Sequence, residues 1–398
     1  MELKIMKFGF LLAGLALVFA TMLHADETPF IPPQHKHTNQ IHVSAAVPPQ
    51  ILRPKLVVVT YFEVGHDTGD KPGELQFWVE RDHLNRSIEV PGMTHPVRAN
   101  ADGSEIAVVV GPGQIRPAVN LMALGHDSRF DLRKSYWLIN GIAGVSPEDG
   151  SLGAAFWTDY IINGDLLHLI DPREMPKDWS DGFYAIDKTR PDEQPRVPAG
   201  SSEDVRTWSH DQAHINERGT VVQMNPKLLR WAYALTKDIR LPQNEAMQSL
   251  GAKYIGYPAA QHPPRVAIGA NIAGETFWHG SLMDAWAHRW VIYETDGQAR
   301  LGTTAMNDSG AMVALYSLTK AGRADWNRAL LLRTASNFDR QPDGMTAEQS
   351  ANAEQHGAYT GYDASLETAY QVGSRVAKAI LAGQEPRTTR AALINVQN

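Results

Sequence analysis

Residues 56–62 read Leu-Val-Val-Val-Thr-Tyr-Phe, a continuous apolar run rich in β-branched residues. A strand with one wet face alternates apolar and polar residues. A run without that alternation suits a strand covered on both faces, as in a parallel sheet. The pattern returns at Ile106–Val110, Tyr136–Asn140, Arg265–Gly269 and Ala329–Arg333, and Phe77-Trp78-Val79 reads as a short additional strand. Residues 154–170 read as one or two more. Helical stretches lie between these runs: Pro117 to Leu124, Lys227 to Asp238, Ser309 to Ala321, and Leu366 to Ala382 with Gly383 at a C′ position. Strands alternating with helices predict an α/β fold with a mostly parallel or mixed central sheet. Ligands of such sheets bind beyond the carboxyl ends of the strands. The junctions at 60–74, 111–116, 140–146, 269–280, 304–309 and 333–340 are therefore the places to search.

The chain opens with basic residues, an apolar run from Phe8 to Ala20, and Ala25 ahead of acidic residues. That order predicts a secretory signal peptide over 1–25, cleaved near Ala25, and hence a periplasmic or secreted protein. The alternative is an N-terminal anchor, but the run falls short of the roughly 20 residues that span a bilayer. No other stretch reaches that length, so the chain is not expected to be an integral membrane protein. Residues 26–54 are rich in Pro, His, Thr and Gln and read as a disordered leader; 55–398 form the folded domain. The Pro-rich polar segment 187–205 is expected to be a loop insertion, because apolar elements resume on both sides. The chain has no cysteine, which excludes disulfides and thiol chemistry. Net charge is −7 with both signs scattered, so nucleic acid is not an expected partner.

Gly141-Ile-Ala143-Gly144 closes the strand at 136–140 and reads as a turn whose backbone amides approach a ligand, or as an ordinary tight turn. Gly111-Pro-Gly113 with Arg116 is an anion cradle or a plain strand end. Arg333-Thr-Ala-Ser336-Asn337-Phe-Asp339-Arg340 gathers amide, carboxylate and guanidinium groups that could read a polar heterocycle, or could be a capped turn with surface ion pairs. Gly274-Glu-Thr-Phe277-Trp-His-Gly280 offers aromatics for stacking on a flat ring, or a buried aromatic pair. His210 and His214 stand four apart, but without the flanking residues of a zinc helix; no metal is expected. Gly-x-Ser-x-Gly elbows, phosphate loops and dinucleotide fingerprints are absent.

Taken in order, TYFEVGHDTGDKPGELQFWVER at 60–81, NGIAGVSPEDGSLG at 140–153, DPREMP at 171–176, GETFWHG at 274–280, AMNDSGAMVAL at 305–315 and RTASNFDRQP at 333–342 resemble the purine nucleoside permease family. That family in turn resembles the nucleoside phosphorylase and nucleosidase superfamily. The resemblance implies a three-layer α/β/α fold with a mixed central sheet, a purine nucleoside as ligand, and homo-oligomeric assembly. It implies Phe277 against the base, Gly141, Ala143 and Gly144 along it, and Met306 against the sugar. Asn307 stands where the superfamily has a Glu on the ribose hydroxyls, with Asp308 next. Ser336 and Asn337 fall on the purine edge, where nucleosidases place a carboxylic acid that protonates N7. Asn337 cannot supply that proton; Asp339 could if its loop turns inward. Glu63 and Glu74 are both candidates for the base that activates water. Gly113, Arg116, Arg333 and Arg340 are candidates for inorganic phosphate as co-substrate; no other cofactor is implied.

Two functions are compatible with this pattern. One is cleavage of the N-glycosidic bond, by water or phosphate, with Asp308 or a first-loop Glu stabilising the cationic sugar. The other is a non-catalytic periplasmic protein that captures nucleosides and supports their transport.

Overall fold

The structure, a computed structural model, describes residues 51–357 and 359–388, with the backbone alone at 354–357. The signal peptide and most of the expected leader lie outside the described residues. The leader's last residues do not: Leu52 is buried and bridges to Phe130, so the folded part begins ahead of Lys55.

In chain order the elements are β1 (Leu56–Thr60), α1 (Gln76–Arg81), β2 (Arg86–Ile88), β3 (Val97–Ala99), β4 (Glu105–Val109), α2 (Ile115–His126), β5 (Tyr136–Val145) and β6 (Ala155–Asn163). There follow β7 (His168–Leu169), β8 (Phe183–Tyr184), β9 (His214–Ile215), β10 (Val221–Gln223), α3 (Pro226–Thr236), α4 (Glu245–Gly251) and α5 (Pro258–Gln261). The last are β11 (Val266–Ala273), α6 (Ser281–Glu294), β12 (Leu301–Ala305), α7 (Asp308–Lys320), β13 (Ala329–Phe338), α8 (Ala347–Gly357) and α9 (Tyr362–Leu381).

The main sheet runs β2-β3-β4-β1-β5-β12-β11-β6-β10-β9, and β13 pairs with both β5 and β6. Strands β4, β1, β5 and β13 are mutually parallel neighbours; β6 is antiparallel to β13 and parallel to β11. Because β13 bridges β5 and β6, the strands β5, β12, β11, β6 and β13 close into a ring without free edges. The seam of the ring is thin: β12 meets β5 at one pair, Thr304 opposite Gly144.

Successive residues of β1 serve opposite faces, as strand geometry requires. Val57 and Val59 pack with Leu121 of α2 and Leu315 and Leu318 of α7. Leu56 and Val58 pack with Trp78 and Val79 of α1 and Val372 and Val376 of α9. Helices thus cover both faces of a mixed sheet, which is the α/β arrangement expected from the apolar runs.

Two local expectations need correction. Phe77-Trp78-Val79 is helical, not a strand. The Glu63 carboxylate accepts the amides of Leu75 (2.8 Å) and Gln76 (2.7 Å), satisfying donors that a helix start leaves open. Gly141–Gly144 is not a turn: β5 runs on to Val145, because β13 pairs with it as far as Phe338. Residues 187–204 hold neither helix nor strand, and Val205 opens a single 3-10 turn, Val205–Thr207.

Candidate active site

At the ends of the sheet strands lies a cavity of about 570 Å³, bordered by the segments after β1 and β11 and by the last residues of β5, β12 and β13 with the residues that follow β12 and β13. Ala143, Gly144, Phe277, Met306, Asn307, Ser336, Asn337, Asp339 and Glu74, all singled out from sequence, line it. Gly144 is required there by close approach. A Cβ on it would sit 2.6 Å from Thr304 Oγ1, across the seam where β12 meets β5.

The first-loop ambiguity resolves by geometry. Glu63 does not line the cavity. Its carboxylate accepts the amides of Val64, Gly73, Leu75 and Gln76 and so closes the loop onto α1. Glu74 is the buried acid that lines the cavity. One carboxylate oxygen accepts Tyr61 N at 2.7 Å and the other Ile142 N at 2.8 Å. Burial raises its pKa to about 7, against the opposing pull of Arg333 and the two amide hydrogen bonds. A carboxyl poised near neutrality can exchange protons during turnover.

Asp308 and Arg333 leave their expected places. Their side chains are 0% and 1% exposed and pair bidentately, Nη2 to Oδ1 at 2.5 Å and Nε to Oδ2 at 3.0 Å. Tyr61 donates to Asp308 Oδ1 at 2.6 Å and Asn271 Nδ2 to Oδ2 at 2.7 Å. With its acceptors taken, Asp308 is not among the residues facing the cavity, and neither is Arg333. Arg333 Nη1 also donates to Ile142 O at 3.0 Å. This network sits behind Glu74 and holds the two backbone segments that grip it. Gly141 belongs to the same arrangement: a Cβ there would collide with Glu74 and Arg333, so its smallness admits these side chains rather than a ligand.

The anion cradle at 111–116 also needs correction. Glu275 Oε1 accepts Gln114 N at 2.6 Å and Ile115 N at 3.3 Å, placing a carboxylate of the chain itself at the start of α2. A Cβ on Gly113 would lie 2.4 Å from that carboxylate, and Arg116 is exposed and outside the cavity. Arg340 donates to Asp284 Oδ2 at 3.2 Å. Among the described residues lining the cavity, Lys71 carries the one basic side chain, 5.0 Å over the Tyr362 ring.

The far side carries aromatic rings. Phe277 is 47% exposed and lies nearly parallel to Tyr359, with ring centroids 6.4 Å apart. Ser336 donates to Asn337 Oδ1 at 2.8 Å, and Asn337 Nδ2 to Phe338 O at 3.3 Å, which fixes the amide's orientation. Asp339 turns inward, 2% exposed, and neither carboxyl oxygen has a hydrogen-bond partner. Burial first, then the charges of Asp284 and Asp149, push its pKa well above the usual carboxylate range. That shift favours the protonated form, which can donate.

Sequence reasoning missed Tyr61, Phe62, Lys71, Tyr359 and Tyr362. Tyr359 sits in the Gly-containing segment ahead of α9 and Tyr362 is the first residue of that helix, with no strand end to flag either. Tyr362 OH donates to Pro72 O at 2.9 Å, which ties that loop to the first one. His210 and His214 lie on no helix; His214 Nε2 accepts Ser209 N at 3.0 Å.

The fold and cavity define an α/β protein with a deep, aromatic-walled site and two buried carboxyl groups for a small ligand. The chain belongs to the purine nucleoside permease family, whose model matches residues 53–387. It is 26% identical over 302 residues to a probable purine nucleoside permease of Schizosaccharomyces pombe, covering 75% of this chain and 81% of that one. It is 24% identical over 345 residues to the purine nucleoside permease of Candida albicans, covering 85% and 77%. Among solved structures, the 5′-methylthioadenosine/S-adenosylhomocysteine nucleosidase of Neisseria meningitidis aligns with TM-score 0.43 at 12% identity over 83% of this chain and 99% of that one. The futalosine hydrolase of Helicobacter pylori aligns with TM-score 0.44 at 10% identity over 84% and 98%. No helix among the described residues is long and apolar enough to cross a membrane.

Proposed function

We propose that this protein binds purine nucleosides in the cavity and hydrolyses their N-glycosidic bond. The observation that carries this reading is the pair of buried carboxyl groups in one cavity: Glu74, with a pKa raised to about 7, and Asp339, pushed well above the usual carboxylate range by burial. The base lies against Phe277, with its edge toward Asn337 and Asp339, and the ribose toward Met306 and Asn307. Glu74 takes a proton from water as the water oxygen bonds to the anomeric carbon. The bond from that carbon to the purine breaks, and Asp339 delivers its proton to the departing base. Ribose and free purine leave, and solvent exchange restores both carboxyl groups. Water is favoured over phosphate because Arg333 and Arg340 are paired with carboxylates, Arg116 lies outside the cavity, and Glu275 occupies the anion position at α2.

A second reading, capture of the intact nucleoside in support of transport, draws on the names of the relatives and on Asn337, an amide that cannot titrate. Incubation of the purified protein with inosine, guanosine and adenosine, with and without phosphate, separates the readings. Free base at equal rates with and without phosphate is expected. Base only with phosphate would make it a phosphorylase, and tight retention of intact nucleoside would favour capture.

A further inference from the structure

The turn Ser146–Asp149 follows β5, and α6 passes over it. Asp284 and His288 stand one turn apart on that helix. His288 Nε2 faces Ser146 Oγ at 3.2 Å, Asp149 Oδ2 at 3.5 Å, Asp284 Oδ1 at 3.5 Å and Glu148 Oε2 at 3.9 Å. One imidazole nitrogen and oxygens of four side chains thus converge from two elements, and the donor atoms of Glu148, Asp284 and His288 lie within 4.8 Å of one another.

The oxygens here are unusually short of donors. The Asp284 side chain is 1% exposed, yet its Oδ1 makes no hydrogen bond, and neither does Asp149 Oδ2. Nearby Asp339, whose pKa these groups perturb, has no partner on either oxygen. Buried polar atoms ordinarily find partners. The carboxyls of Glu148, Asp149, Asp284 and Asp339 outnumber the cationic groups beside them, His288 and Arg340.

We propose that Glu148, Asp149, Asp284 and His288 bind a divalent cation, with Ser146 Oγ as an added donor. Several carboxylate oxygens with one imidazole suit Mn²⁺ or Zn²⁺; a purely oxygen set would suit Ca²⁺. The cation would pin the turn after β5 to α6, beside Asp339, which lines the cavity. The inference bears on the proposed hydrolysis, because a bound cation would offset the Asp284 and Asp149 charges that help to raise the Asp339 pKa.

The test uses the full chain, stripped with chelator and titrated with Mn²⁺ (by the spin resonance of free Mn²⁺) and with Zn²⁺ (by calorimetry). One saturable site per chain is expected. E148Q and H288Q are each expected to weaken it about tenfold or more. The Glu148 side chain is 51% exposed, so E148Q should keep the metal-free melting temperature of the wild type. No saturable binding to the wild-type chain would overturn the proposal. So would binding that both substitutions leave within about twofold, as binding to the histidines at 35 and 37 would. Ca²⁺ bound as tightly as Mn²⁺ would overturn the role given to His288.

Discussion

Arg333 and Asp308 form a bidentate ion pair at 2.5 and 3.0 Å inside the protein, with Tyr61 and Asn271 donating to the same carboxylate. Breaking such a pair leaves a charge buried without compensation, which costs about 3–5 kcal/mol. D308A is therefore expected to lower unfolding free energy by that amount in denaturant titrations, because Arg333 is stranded. A loss of turnover with unchanged stability would instead return Asp308 to the ligand.

Glu74 gives the reaction an acid limb. Base release should fall as pH drops through about 7, because protonated Glu74 cannot accept a proton from water. E74Q should abolish that limb and slow release roughly 10²–10⁴-fold. The same shift has a stability signature. Its folded-state pKa lies above the ordinary value of 4.5. The folded state thus holds a proton that the unfolded chain releases, and this contribution to stability is lost as pH rises from 4.5 to about 7. A pH–rate profile of wild type and E74Q checks the kinetic claim.

Asp339 and Asn337 should separate in their kinetic effects. D339N removes the donated proton but keeps the shape, so kcat should fall roughly 10²–10⁴-fold with KM little changed. N337A removes a contact to the base in ground and transition states alike, so KM should rise while kcat holds. Equal effects of both variants on kcat alone would contradict this division.

Phe277 should govern affinity through its ring. F277A is expected to weaken nucleoside binding by roughly 1 kcal/mol or more, about a fivefold rise in dissociation constant, whereas F277Y should stay near wild type. Equilibrium titration with a non-hydrolysed nucleoside analogue measures this without reference to turnover.

The continuous apolar runs at 56–60, 106–109 and 136–140 declared a sheet covered on both faces, because water-facing positions in them would expose Val and Ile. The family resemblance of the strand-end motifs then pointed to Phe277, Met306, Ser336 and Asn337, which the fold gathers around one cavity. That much follows from local pattern and the topology it permits. The roles of the charged residues do not. Whether Glu63 or Glu74 faces the ligand depends on which backbone amides each one meets. Asp308 was lost to the cavity because Tyr61, 247 positions away, and Arg333 claim its oxygens. Asp339 gained its raised pKa from burial first, and then from Asp284 and Asp149, which lie elsewhere in the chain. A side chain's charge state and orientation are set by neighbours across space, and those neighbours exist only once the chain has folded.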